Sequence, residues 1–348
     1  MNLFEFRNEL LEQLLRFLWR QWSIMGVLGQ SGMGDEWALD PEALLIFSLQ
    51  LACYEPRLFD EILSWTIKNG RLLDASRMRN FLHGQDMEVA QVVGASLQFA
   101  LRRAKTAKWK NLINFCSSIY NQQSNPGFVA PLFKEKSGAS YPLTLDKKQD
   151  PDFMLFKLDR LPLTNLREAN VVPINSKTNI RFLLRSLIGV GSRSEILLYL
   201  LTHEGGRPRD VAESVGLFWL GVQQTLADMA ESGLVLKRAK GKRVEYWVSH
   251  KKWWDFLSFS GEDMSARPKW LNWMAIYSAL WTIWKSINEL SRTEASDYMK
   301  SSKLQDSLET LHREFSRAGV DVPPLPTQAI PSDLHQQTTL QFLNNVLV

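Results

Sequence analysis

At about 150 residues per domain, a chain of 348 residues has room for roughly two to three packed domains and is too long to be a stapled miniprotein. Hydrophobic residues at 45% and charged residues at 22% exclude a disordered chain, a collagen-like repeat and a coiled-coil rod. Forty-one Lys and Arg against 37 Asp and Glu leave a net charge of +4, too little by itself to mark a nucleic-acid binder.

The opening residues Met1 to Glu9 carry acids early and no basic segment before an apolar run, so no secretory leader is expected. Cys53 and Cys116 form no CxxC pair and have no nearby histidine, which argues against a disulfide framework or a thiolate zinc site and suits a reducing cytoplasm. Trp270 to Trp284 is the most apolar stretch, but it is interrupted by Asn272, Ser278 and Thr282 and is shorter than the roughly 20 residues a membrane span needs. No transmembrane helix is expected.

In chain order, Leu3, Phe6, Leu10, Leu14 and Phe17 recur at three and four and predict an amphipathic helix from Leu3 to Trp22. The glycine-rich run Gly26 to Gly34 breaks it. Asp40-Pro41-Glu42 then supplies an N-cap, a proline at N1 and an acidic first turn. Further helices are predicted near 42–53, 57–68, 74–83 and 86–119, giving a helical domain over 1–120. Six of the 14 prolines fall between Asn121 and Ile180, so 121–180 reads as a connector, with one short strand inside 152–158. Residues 251–320 return to helical periodicity, and Pro323-Pro324-Leu325-Pro326 opens a tail over 321–348 that is either a last helix or loose.

Residues 181–250 are the most strongly patterned. Ser192 and Ser194 can cap a helix carrying Ile196, Leu197 and Leu200, which His203-Glu204-Gly205-Gly206 stops. Pro208 to Val215 makes a short second helix and Gly216 turns the chain. A third helix uses Val222, Leu226 and Met229 and ends at Gly233. Leu234 to Arg238 and Arg243 to Val248 read as strands around the tip Ala239-Lys240-Gly241-Lys242, completing an αααββ order.

Asp210-Val211-Ala212-Glu213-Ser214-Val215-Gly216-Leu217, then Val222-Gln223-Gln224-Thr225-Leu226, then Met229 to Val235 resemble winged helix-turn-helix transcriptional regulators of the ArsR/MarR type. The resemblance covers about 60 residues and leaves the flanking regions unnamed. It implies a mainly α protein: a helical N-terminal domain, a central winged helix-turn-helix and aromatic-rich C-terminal helices. It also implies base contacts from Trp219, Leu220, Gln223 and Gln224, and phosphate contacts from Arg207, Arg209, Lys237, Arg238, Lys240, Lys242 and Arg243. Charge agrees: residues 181–252 hold 12 basic and seven acidic side chains, so the remainder of the chain is near −1. Phe218-Trp219-Leu220 departs from the small polar residues such modules usually place there; these groups meet thymine methyls or lie under another domain.

Other chemistry is weakly represented. The glycines of 29–34 lack a GK[ST] ending, the five histidines show no metal-ligand spacing, and no GxSxG turn is present, so neither an enzyme nor a cofactor or metal site is expected. The basic run Arg102 to Lys110 is a solvated helix face or a second phosphate contact. Trp270, Trp273, Tyr277, Trp284 and Ile287 form a stripe that is either an intramolecular core or the interface of a homodimer, with the helix from Leu3 to Trp22 as the next candidate seam. The function expected is a cytoplasmic repressor that acts by occupying double-stranded DNA. The alternative is a scaffold or adaptor whose winged helix holds a protein partner.

Overall fold

The computed structural model describes residues 2–27, 37–123, 128–144, 147–174, 176–241, 243–257, 268–293, 296–322 and 332–347. The glycine run from 28 to 34, Lys242 and the prolines at 323–326 lie outside them. The protein is mainly helical, and local chemistry explains where its helices begin. Asn2 starts α1 (Leu3–Ile24) with a capping box: its side chain accepts the Glu5 N–H at 2.8 Å while Glu5 accepts the Asn2 N–H at 2.9 Å. Asp40 caps α2 (Pro41–Leu51), with Pro41 at N1. All eleven residues of α2 are buried, as befits a helix that is apolar nearly all round.

Around α2 pack α1, α3 (Pro56–Asn69), α4 (Ala75–Leu82) and α5 (Met87–Ala104), with α6 (Lys110–Gln123) antiparallel on α5. The single helix expected over 86–119 is in fact two. Lys105 adopts the left-handed conformation (φ 49°) that ends α5, and Trp109 turns inward to full burial before α6 begins. Gly94 permits the close approach that follows: a Cβ there would run into the Phe156 ring.

The connector is stitched onto this frame. Ala130–Pro131 (β1) pairs in parallel with Leu158–Asp159 (β2). Of the strand expected inside 152–158 only Leu158 is found, where it opens β2; the start of the range is the short α7 (Pro151–Met154), because Asp150 caps the Asp152 N–H and Pro151 pre-sets the helical φ. The Asn69 amide donates to the Asn170 carbonyl at 2.9 Å and accepts the Val172 N–H at 3.2 Å. Arg102 and Arg103 of the basic run bind the buried Asp152 carboxylate at 3.0 and 3.2 Å, so these two cations fasten the connector.

After α8 (Ile180–Ile188) come α9 (Ser192–Thr202), α10 (Pro208–Val215), α11 (Trp219–Glu231), the antiparallel pair β3 (Val235–Lys240) and β4 (Arg243–Val248), and α12 (His250–Phe256). These elements share a second hydrophobic cluster built on Leu197, Leu200, Val211, Val222, Leu226 and Tyr246. The chain then returns to the frame with α13 (Trp273–Leu290), α14 (Asp297–Arg317) and α15 (Ser332–Leu347). Phe342 and Leu343 of α15 are buried, so the tail ends as a packed helix.

The aromatic stripe of α13 belongs to the first cluster, together with residues of α1 to α6. Trp273, Tyr277, Trp284 and Ile287 are all buried within one chain. Tyr277 stacks on Phe47 at 4.9 Å between ring centroids, and the Trp273 indole donates to the Ala38 carbonyl at 2.7 Å. Trp270 is half-buried against Tyr199 and His203, at 5.7 and 5.8 Å. A dimer seam through these five residues is therefore corrected to an intramolecular core. The same holds for α1, whose Phe6, Leu10, Leu14 and Phe17 are buried.

The two clusters meet at α8. Its Phe182 enters the first, while Ile180 and Leu184 enter the second. Between them lie six buried charges: Asp40, Glu42, Arg77, Arg181, Arg185 and Glu195. Arg185 meets Glu42 at 2.6 Å and Glu195 at 2.6 Å and donates to the Leu72 carbonyl at 2.7 Å. Arg77 grips Asp40 at 2.5 Å and also bonds Glu42; Arg181 lies 2.6 Å from Asp40. Burial would raise the Asp40 and Glu195 carboxyls, but Arg181, with Arg77 for Asp40 and Arg185 for Glu195, holds both well below the usual range.

Three positive and three negative charges cancel, so removing one strands a charge away from water. Glu195→Gln is expected to cost about 3–5 kcal/mol in urea unfolding followed by tryptophan fluorescence. The depressed carboxyls also fix a pH dependence. Their stabilisation is present above the unfolded-state values of about 3.9 for Asp and 4.3 for Glu and is lost as pH falls. The urea midpoint of the unmodified protein should therefore decline steadily below about pH 4.

Candidate nucleic-acid interface

The residues expected to touch nucleic acid cluster on α10, α11 and the β3–β4 hairpin. In α11, Val222 and Leu226 are buried against the second cluster, which turns Trp219, Leu220, Gln223 and Gln224 outward. Positions 219 and 223, and likewise 220 and 224, are one helical turn apart and share a face. The Gln224 side-chain amide donates to Asp228 at 2.7 Å within the helix, whereas Gln223 is exposed beside it. The Arg209 guanidinium lies over the Trp219 ring at 5.2 Å, and Arg207 pairs loosely with Asp210 at 3.8 Å.

The turn into α11 is held from outside its own unit. Gly216 caps α10 with φ 69°, and the Asn80 amide of α4 donates to its carbonyl at 3.0 Å. Arg77 donates from Nε to the Val215 carbonyl at 2.7 Å, so the guanidinium that joins the buried carboxylates also fixes the turn. A cleft of about 430 Å³ lies between Phe218 and the start of α13, so the frame supports the turn and leaves the Phe218 ring uncovered.

The hairpin runs in register from Val235 opposite Val248 to Lys240 opposite Arg243. Its strands reach further than the expected four-residue tip allowed, leaving only Gly241, at φ 63°, and Lys242 between them. Gly206 adds an isolated antiparallel bridge to β4, exchanging both backbone hydrogen bonds with Tyr246 at 2.9 and 3.0 Å. Val235, Tyr246 and Val248 face the core. Lys237, Arg238 and Arg243 are exposed, Arg238 lying 3.8 Å from Glu245 across the ladder.

Two of the twelve basic residues counted over 181–252, Arg181 and Arg185, are buried in the ionic cluster together with one of the seven acidic ones, Glu195. The basic excess outside the cluster falls from five to four. Histidine serves structure here: His203 stacks on Tyr199 at 3.8 Å, and burial lowers its pKa. Cys53 and Cys116 are free thiols, pushed up by burial to about 11 and about 12. Among the described residues no group of three His, Cys, Asp or Glu side chains gathers to hold a metal ion, and no helix is long and apolar enough to cross a membrane. The ionic cluster had escaped sequence reasoning. The one available signal was the pairing of Arg181 with Arg185 at i,i+4 on a helix whose neighbouring positions are apolar.

No protein-family model, curated protein or solved structure matches the chain.

The turn gives a contrast between two glycines. A Cβ at Gly216 would meet the Phe81 ring at a left-handed φ, whereas one at Gly221, inside α11, would meet open space. Gly216→Ala should destabilise by roughly 1–3 kcal/mol, and Gly221→Ala should stabilise by up to about 1 kcal/mol, both read from urea midpoints.

Proposed function

We propose that the chain is a double-stranded DNA-binding transcriptional regulator, a repressor that acts by occupancy without a catalytic step. In this reading residues 192–248 are a winged helix-turn-helix, α11 is the recognition helix and β3–β4 the wing. One observation carries it: an exposed helix face bearing Gln223 and Gln224 stands beside an exposed basic hairpin. A helix of 13 residues, about 20 Å long, fits lengthwise into a major groove about 12 Å wide. A glutamine amide can pair with adenine N6 and N7, and Lys237, Arg238 and Arg243 suit the flanking phosphates. Gln223 is the readier reader, since Gln224 must first release Asp228.

One such unit reads only a few base pairs, so the proposal includes a second copy on a half-site about 34–36 Å away. Its seam lies elsewhere than α13 and α1. A cytoplasmic setting goes with the same reading. In the second reading, a scaffold whose winged helix holds a protein, that partner would cover the exposed Phe218, Trp219 and Leu220.

Salt separates the two. Retention on a random-sequence duplex should fall steeply between 50 and 200 mM salt, because each neutralised phosphate contributes about −0.9 to the slope of log K against log[salt]. The combined variant K237A/R238A/R243A should lower that slope by about two to three and weaken all duplexes alike, as fluorescence anisotropy would report. Retention that does not respond to salt contradicts the DNA reading and favours the scaffold.

A further inference from the structure

We propose that the first turn of α11 reads thymine through its C5-methyl group, an inference that rests on the DNA-binding reading and names the base it selects. Phe218 is 66% exposed, Trp219 37% and Leu220 51%. Three large apolar side chains in water at the start of one helix need an apolar counterpart. Trp219 and Leu220 precede Gln223 and Gln224 by one helical turn on the same face, so a helix that brings its amides to base edges brings these two groups there too.

The major-groove edges of A, G and C carry polar groups for recognition; thymine alone adds a methyl. The surroundings point to nucleic acid as the occupant. Arg209 lies over Trp219 at 5.2 Å, and the adjoining hairpin exposes Lys237, Arg238 and Arg243, which complement phosphate. A cation over the apolar turn and further cations on the hairpin suit the phosphates on either side of a groove.

The two halves of the face then select the same kind of sequence. Glutamines suit adenine, and the apolar turn beside them suits thymine, so the preferred half-site is a run of A·T pairs with at least two thymine methyls under Trp219 and Leu220. Leu220 is half exposed and belongs to neither hydrophobic cluster, so altering it leaves the fold in place.

The test uses the full-length protein. Duplexes are selected from a random 20-base-pair pool, and the best one is compared by anisotropy with the same duplex in which every thymine is replaced by deoxyuridine. Base pairing is kept and only the methyl is lost. Affinity is expected to fall about fourfold per contacted methyl, hence roughly tenfold or more for two. Leu220→Gln should reduce the preference for thymine over deoxyuridine by about fourfold, the share of one methyl, leaving the share contacted by Trp219. Equal affinity of the unmodified protein for the two duplexes overturns the inference while leaving DNA binding intact. A dimer that Leu220→Gln dissolves, seen by light scattering, would then assign the turn to a protein contact. If no duplex is retained even at low salt, the DNA reading fails and this inference fails with it.

Discussion

Six charges sealed from water at the junction of two hydrophobic clusters constrain everything around them. Each of Asp40, Glu42, Arg77, Arg181, Arg185 and Glu195 carries a desolvation cost that the others offset only in one arrangement. Rotating α8 by a fraction of a turn would pull Arg181 and Arg185 from their carboxylates while both stay buried away from the protein surface. Arg77 extends the constraint outward, because its Nε holds the Val215 carbonyl at the turn before α11. The pose of the exposed helix is thus set from the frame as well as from its own core.

This arrangement explains a division of labour between the two clusters. The frame, with α2 buried along its whole length and aromatic rings from α1, α2 and α13 packed together, is larger and more apolar than the patterned unit it supports. The smaller cluster under α9 to α12 combines aliphatic side chains with Tyr199, Tyr246 and Trp254, and Gly206 closes the hairpin against Tyr246. A small core that must present a helix and a hairpin outward gains rigidity by leaning on a neighbour. Here the lean runs through polar contacts at Asn80 and Arg77 and leaves the exposed face uncovered.

Local signals were legible in the sequence, and long-range ones were hidden. Asp40-Pro41-Glu42 announced the start of α2, and the spacing of Val222 and Leu226 announced which face of α11 turns inward, because capping and helical period act within a few residues. The same Asp40 and Glu42 looked like an ordinary acidic first turn, since nothing local says that Arg77, Arg181 and Arg185 converge on them from far along the chain. Arg102 and Arg103 do lie on an exposed face, but their partner Asp152, inside the proline-rich connector, was hidden for the same reason. The stripe on α13 was correctly seen as a stripe. Whether its partner was this chain or a second copy depended on α1 and α2, and periodicity carries no information about the partner. The break between α5 and α6 hid because Lys105 takes a left-handed conformation that glycine more commonly adopts.

The position of Glu195 has a consequence for how such a protein can change over time. It sits in α9, the first helix of the patterned unit, yet its carboxylate neutralises guanidiniums on α8 and α4. A unit of similar shape grafted from another protein would arrive without that carboxylate and leave three guanidiniums facing two acids in a sealed space. The unit is keyed to its frame. Lineages carrying this architecture are expected to vary the outward residues of α11 and the hairpin freely, while α8, α9 and the turn after α10 are inherited together as a single block.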